Sequence, residues 1–237
     1  MKLESENEFD LSTRSYDEFL LYFLTHPLED GLWTRDMSGE EYAYWVTERS
    51  NPEAVVHYLT RFFNEFGAIA ETTPAKTLDH VIDGMLSAAG CNLQTELWND
   101  SVPLDLRLEC IRSMYRPFAD FVANCKVETM ENGFYMWWDF ICTGFWFRRT
   151  YDKVVPSENY QLLGGNDRKL VDCMFETLTK ILALDDDRCQ SAALHGLGHV
   201  QHPAVRDTVQ KYINANSEKL TPDGFKWLER CRDGTVM

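Results

Sequence analysis

The chain has 237 residues, which is enough for one large domain or two small ones with a substantial core. Its formal net charge of −15 argues against nucleic acid or an anionic membrane as the main partner, because phosphate groups are bound by clustered lysine and arginine. The same charge favours a protein partner with a basic surface.

Composition also bears on location. No apolar stretch approaches the roughly 20 residues of a membrane-spanning helix, so we expect no membrane association. Residues 1–10 are acidic and polar and do not resemble a secretory leader. Seven cysteines are scattered without a Cys-x-x-Cys pair and are predicted to be reduced core thiols of a cytoplasmic protein.

The first half of the chain predicts helical hairpins. Residues 1–14 are rich in acidic and polar side chains and are expected to form a flexible tail. From residue 15 to residue 89, apolar residues at helical spacing follow repeated start signals. These signals are a capping-box spacing at 15–18, Asn51-Pro52 and Thr73-Pro74.

Two long helices are predicted in the middle of the chain. From Leu104 to Asn124, apolar residues keep helical spacing for about five turns and indicate one continuous amphipathic helix. Residues 128–150 contain the run MWWDFICTGFWF, which is apolar on nearly every side. This composition predicts a central buried helix against which the others pack.

The predicted fold class is all-α, because no segment shows the alternation of a half-buried strand. Short connections marked by proline favour antiparallel helical hairpins stacked as an irregular α-solenoid. We expect a single helical domain over residues 15–237, with possible sub-units at 15–150 and 167–237.

The clearest pattern of helix-start signals and of small and apolar residues lies in residues 185–214. Asp185, Asp186 and Asp187 precede a run of small and apolar residues and indicate a helix N-terminus, where exposed amides and the helix dipole favour negative charge. Clustered carboxylates could instead hold Mg²⁺, but the helix start is the favoured interpretation. Pro203 predicts the first turn of a second helix after a tight corner, so the segment is expected to form a helical hairpin.

The run ALHGLGHVQHPAV, residues 193–205, resembles one unit of the HEAT-like repeats. Those repeats combine small and apolar residues with a Leu-Gly pair and an Asp-Pro-like corner. His202 stands where aspartate is usual, and Gly196 stands where alanine is common. The resemblance covers about residues 187–214 and implies a HEAT-like C-terminal part, but such solenoids serve binding proteins and enzymes alike.

Three histidines in this segment could carry chemistry. His195, His199 and His202 are spaced at i, i+4 and i+7, which places them on one face of a helix. Imidazoles one turn apart can share a zinc ion. The favoured alternative is a surface or groove stripe without metal, because His202 precedes a proline and is expected to lie beyond the helix end, and because no HExxH glutamate is present.

The sequence therefore predicts a non-enzymatic protein–protein interaction module that needs no cofactor, similar in type to bacterial immunity proteins or adaptors. No nucleophile elbow or activated cysteine is visible. The alternative is a metal-dependent hydrolase or metal-binding protein that holds zinc on the three histidines. The predicted partner-binding residues are Asp185, Asp186, Asp187, His195 and His199.

Overall fold

The structure is a computed structural model that describes residues 10–25, 49–87, 90–125, 133–153 and 160–236. Within these residues it contains helices and turns and no β-strand, which confirms the all-α class for this part of the chain. The α-helices are α1 (Tyr16–Thr25), α2 (Pro52–Ala70), α3 (Ala75–Leu86), α4 (Leu104–Ser113), α5 (Gly133–Lys153), α6 (Gly165–Leu182), α7 (Asp187–Val200), α8 (Val205–Asn216) and α9 (Pro222–Asp233).

Local capping explains where several of these helices begin. At α1, the backbone N–H of Ser15 donates to Glu18 Oε2 over 2.9 Å, and the N–H of Glu18 donates back to Ser15 Oγ over 3.3 Å. At α2, Asn51 Oδ1 accepts from the N–H of Ala54 over 3.1 Å. The predicted start signals at these two positions are therefore confirmed.

Residues 10–14, which belong to the predicted flexible tail, are ordered against the rest of the chain, and this corrects the sequence analysis. Asp10 and Ser12 are buried, and Asp10 Oδ2 accepts from the N–H of Ser50 over 3.0 Å. Ser12 Oγ accepts from the N–H of Asn51 over 3.0 Å. These hydrogen bonds tie residues 10–14 to the start of α2, whereas residues 1–9 lie outside the described part of the chain.

The helix predicted from Leu104 to Asn124 is not continuous. Helix α4 ends at Ser113, and a π-helical turn over Pro117–Phe121 and a 3₁₀ turn over Val122–Asn124 follow. Pro117 lacks an amide hydrogen, and its ring clashes with the carbonyl four residues earlier, which is that of Ser113. This break redirects the chain so that Phe118 and Val122 both reach the core.

Helix α5 occupies the centre of the described core, as its apolar composition predicts. Its buried side chains face α3 on one side and α7 on another. In the part of the predicted segment whose side chains the structure describes, the buried apolar side chains are Phe134, Trp137, Trp138, Ile141, Cys142, Phe145 and Trp146.

Helix α7 packs more extensively on α5 and α6 than on α8, its predicted hairpin partner. Its Gly196 allows the close approach to α5, because a Cβ at this position would lie 2.4 Å from the Cβ of Trp138. Along α5 and α7, Tyr135 meets His195 and Asp139 meets His199, so the two helices run in the same direction. From α2 onwards, most helices contact the next but one: α2 with α4, α3 with α5, α4 with α6, α5 with α7, and α7 with α9.

Two further observations concern membrane-spanning character and the cysteines. Among the described residues, we find no helix with the length and apolar character needed to cross a bilayer. None of the seven cysteines, all of which are described, forms a disulfide; six are buried and Cys125 is half-buried.

Candidate functional site

The aspartate run begins α7, as predicted. Asp186 is the N-cap, and its Oδ1 accepts from the backbone N–H groups of Arg188 over 3.0 Å and Cys189 over 3.1 Å. Its Oδ2 lies 2.8 Å from an Arg188 nitrogen. Partial burial alone would raise the pKa of Asp186, but the hydrogen bonds from Arg188 and Cys189 hold it below its usual value. Asp185 and Asp187 on either side are exposed.

A pocket of about 290 Å³ lies beside this helix start. The break after α4 and the first turn of α5 supply its buried apolar wall, and the first two turns of α7 supply the polar side. The lining residues are Phe118, Val122, Phe134, Tyr135, Asp187, Arg188, Ser191 and Ala192. The pocket offers an apolar surface against which a side chain can pack. The carboxylate of Asp187 lies at the edge of this pocket.

His195 lies one turn beyond Ser191 and is buried, with 1% of its surface exposed. Its ring stacks on the ring of Tyr135, with centroids 4.5 Å apart and planes 6° from parallel. Its Nδ1 lies 3.4 Å from the backbone oxygen of Tyr135. Because a carbonyl oxygen accepts and does not donate, Nδ1 carries the ring hydrogen, which leaves Nε2 with a free lone pair.

His199 is half-buried and faces His195 across one helical turn. The two Nε2 atoms are 3.3 Å apart, and His199 Nε2 also lies 3.5 Å from Asp139 Oδ1 on α5. The hydroxyl of Thr143 donates to the same Asp139 oxygen over 2.7 Å. His199 is therefore the hydrogen donor within the neutral pair, and its Nε2–H points toward His195 and Asp139.

Burial lowers the pKa of both His195 and His199 from its ordinary value, because desolvation disfavours the charged imidazole. For His195, the neighbouring His199 lowers the pKa further. The negative charge of Asp139 acts to raise the pKa of both rings, but the pKa of each stays below its ordinary value. Both shifts favour the neutral form of the pair.

His202 belongs to a different set of contacts. Gln201 adopts a left-handed conformation with φ of 53°, which ends α7 before His202. His202 Nδ1 accepts from the N–H of Ala204 over 3.1 Å, so Nε2 carries the hydrogen and donates to Asp172 over 3.3 Å. The ring stacks on Phe175 with centroids 4.1 Å apart. These contacts fix the turn between α7 and α8.

The predicted three-histidine stripe is therefore corrected. His202 lies beyond the helix end, as its position before Pro203 predicts, so only His195 and His199 share a helix face. His195 is buried instead of exposed along a surface or groove. Within the described ranges, no group of three or more His, Cys, Asp and Glu side chains is arranged to hold a metal ion.

The predicted partner-binding residues differ in their accessibility to a partner. Asp185 and Asp187 are exposed, Asp186 is engaged by Arg188, and His195 is inaccessible behind Tyr135 and His199. Sequence reasoning missed Asp139 as a neighbour of His199. A signal existed, because Asp139 is the one charged residue within the apolar run of α5.

Comparisons of the chain with known protein families, with curated proteins and with solved structures find no match.

Proposed function

We propose that the chain is a protein-interaction module that captures a partner with a basic surface at the N-terminal end of α7. The observation that supports this most directly is the pocket with buried apolar walls and the exposed carboxylate of Asp187 at its edge. Exposed Asp185 lies two residues away and adds to the negative charge. The overall charge of −15 favours the same class of partner.

A lysine or arginine side chain suits this pocket. Its aliphatic part would pack on Phe118 and Phe134, while its charged end would meet Asp187. Arg188 also lines the pocket, but its guanidinium donates to Asp186 Oδ2 over 2.8 Å and to the carbonyl of Val122 over 2.5 Å. Because Asp186 balances this charge, Arg188 repels an incoming cation less than its position alone suggests.

The packing of alternate helices supports the finer fold proposal. Contacts between α5 and α7 and between α7 and α9, with α6 paired to α7, are those expected of stacked hairpins. We propose an irregular α-solenoid that is HEAT-like in its C-terminal part. Stacks of this kind present a continuous surface for partner proteins, as in an immunity-type or adaptor protein acting in the cytoplasm.

The experiment compares two charge-matched double variants. D185N/D187N removes both exposed carboxylates at the start of α7, whereas D207N/D223N removes two exposed carboxylates in the first turns of α8 and α9. Proteins retained from extract of the source cells by the wild-type chain, and not by the bare matrix, are purified. Their binding is then measured by surface plasmon resonance at low and moderate salt.

We expect D185N/D187N to lower the association rate constant severalfold and to flatten its dependence on salt, since charges at an interface edge mainly steer encounter. D207N/D223N should leave both unchanged. Equal association rates for the two variants with the purified partner would contradict the proposed surface, as would the absence of any protein captured selectively by the wild-type chain.

A further inference from the structure

We propose that His195 and His199 form a binding site for one Zn²⁺ ion, with Asp139 orienting the water that completes its coordination. The site is separate from the protein-binding surface proposed above, and either can exist without the other. It also differs from the three-histidine set predicted from sequence, because His202 is engaged in the turn after α7.

The two imidazoles already have the separation that zinc requires. A Zn–N bond is about 2.0–2.1 Å long, and tetrahedral angles then place two nitrogen ligands about 3.3–3.4 Å apart. The Nε2 atoms of His195 and His199 are 3.3 Å apart. Zinc can therefore bind both Nε2 atoms at this separation, from a position about 1.2 Å off the line that joins them.

His195 is prepared as a ligand by its surroundings. Its Nδ1–H points at the backbone oxygen of Tyr135, at 3.4 Å, and this leaves the Nε2 lone pair directed at His199. Histidines that bind metals commonly donate their other ring N–H to a carbonyl or carboxylate, which fixes the tautomer and the ring orientation. The stacked ring of Tyr135 restricts the rotation of His195 further.

His199 and Asp139 supply the open side of the site. Their side chains are 19% and 24% exposed, so an ion can enter from solvent past them. On binding, the hydrogen of His199 moves from Nε2 to Nδ1 by way of solvent, and both Nε2 lone pairs face the ion. Asp139 Oδ1, 3.5 Å from His199 Nε2, is held by the hydroxyl of Thr143 and can accept a hydrogen bond from zinc-bound water.

A site with two protein ligands accords with the absence, among the described residues, of a cluster of three or more metal-binding side chains. It predicts a reversible site of moderate affinity and not a structural zinc centre, since structural sites have four protein ligands. Water occupies the remaining positions, and the negative charge of Asp139 partly balances that of the ion.

The test is isothermal titration of Zn²⁺ into the full chain, purified without an affinity tag, stripped with chelator and dialysed at neutral pH. We expect one Zn²⁺ per wild-type chain and loss of that binding in H199Q. D139N should bind about 10- to 100-fold more weakly, the usual effect of removing a partner that orients metal ligands. H57Q is the matched control, because His57 is an exposed histidine 3.8 Å from a carboxylate, that of Glu53.

Circular dichroism of each variant shows whether it is folded, and thermal unfolding of the wild-type chain with and without Zn²⁺ gives a measurement that needs no variant. We expect Zn²⁺ to raise the unfolding temperature of the wild-type chain, because the ion binds the native state. Folded wild-type protein that takes up no Zn²⁺ at millimolar concentration would overturn the site. Binding by H199Q with wild-type affinity would overturn it too, and an unchanged affinity in D139N would remove the role of Asp139.

Discussion

Replacing Gly196 by alanine tests how closely α7 must approach α5. The added Cβ would lie 2.4 Å from the Cβ of Trp138 and 2.7 Å from Cδ2 of Leu178. Carbon atoms in contact normally lie about 3.5–4.0 Å apart, so the two helices must separate by roughly 1 Å. Leu178 can rotate away, but the Cβ of Trp138 is fixed to its backbone and cannot.

The magnitude follows from two opposing effects. Alanine stabilises a helix interior by about 1 kcal/mol relative to glycine. Overpacking of a core typically costs about 1–3 kcal/mol, and the rigid contact with Trp138 places this case at or above the upper end. We therefore expect G196A to lower the free energy of unfolding by about 2 kcal/mol.

Gly144 provides the matched control, because it also lies inside a helix of the core. A Cβ there would lie 3.6 Å from Nε1 of Trp98, which is an ordinary contact. G144A should therefore be neutral or stabilising by up to about 1 kcal/mol. The assay is urea denaturation followed by circular dichroism, with the slope compared between variants. If G196A is as stable as G144A, the close packing of α5 on α7 is wrong.

Two further predictions concern the histidines and the start of α7. The pKa values of His195, His199 and His202 lie below 6.5 because burial favours the neutral rings, so their contribution to stability is complete above about pH 6.5 and declines as the pH falls below it. Urea denaturation at about pH 7.5 and 5.5 should show this loss of stability, and the H202Q variant should lose less stability between the two pH values. A free energy of unfolding that is constant or rises as the pH falls would contradict the burial of these rings. At the helix start, D186A should lower the free energy of unfolding by about 1 kcal/mol through loss of the N-cap, while D185A should change it by less than about 0.5 kcal/mol. Equal losses in D185A and D186A, measured in the same assay, would show that Asp186 has no special role as a cap.

The fold class could be predicted because helix signals are local. Asn51-Pro52 and the aspartates before α7 act through hydrogen bonds within one turn, so the sequence around each start contains all the interacting groups. The break near Pro117 was also readable in principle, since the missing amide and the ring clash involve residues only four positions apart. Apolar spacing continued through the break and concealed it.

The candidate site could be predicted much less well. Helical spacing brings His195 and His199 together, and this pair is present in the structure. Spacing could not show that Tyr135 covers one ring or that Asp139 faces the other, because both residues lie about sixty positions earlier in the chain. The pairing of Arg188 with Asp186 is local, since the two residues are two positions apart, and it leaves Asp185 and Asp187 as the exposed charges.

The sequence by itself determined that this chain is helical, where several helices begin, and that it carries a large net negative charge, because capping, periodicity and net charge depend on residue type and short-range order. Tertiary structure alone decided that α5 and α7 run side by side in one direction, that His195 is buried while His199 reaches solvent, and that a pocket opens at the start of α7. These features depend on which apolar faces meet. Many pairings of similar faces bury nearly the same area, so their choice rests on close contacts such as that of Gly196 with Trp138.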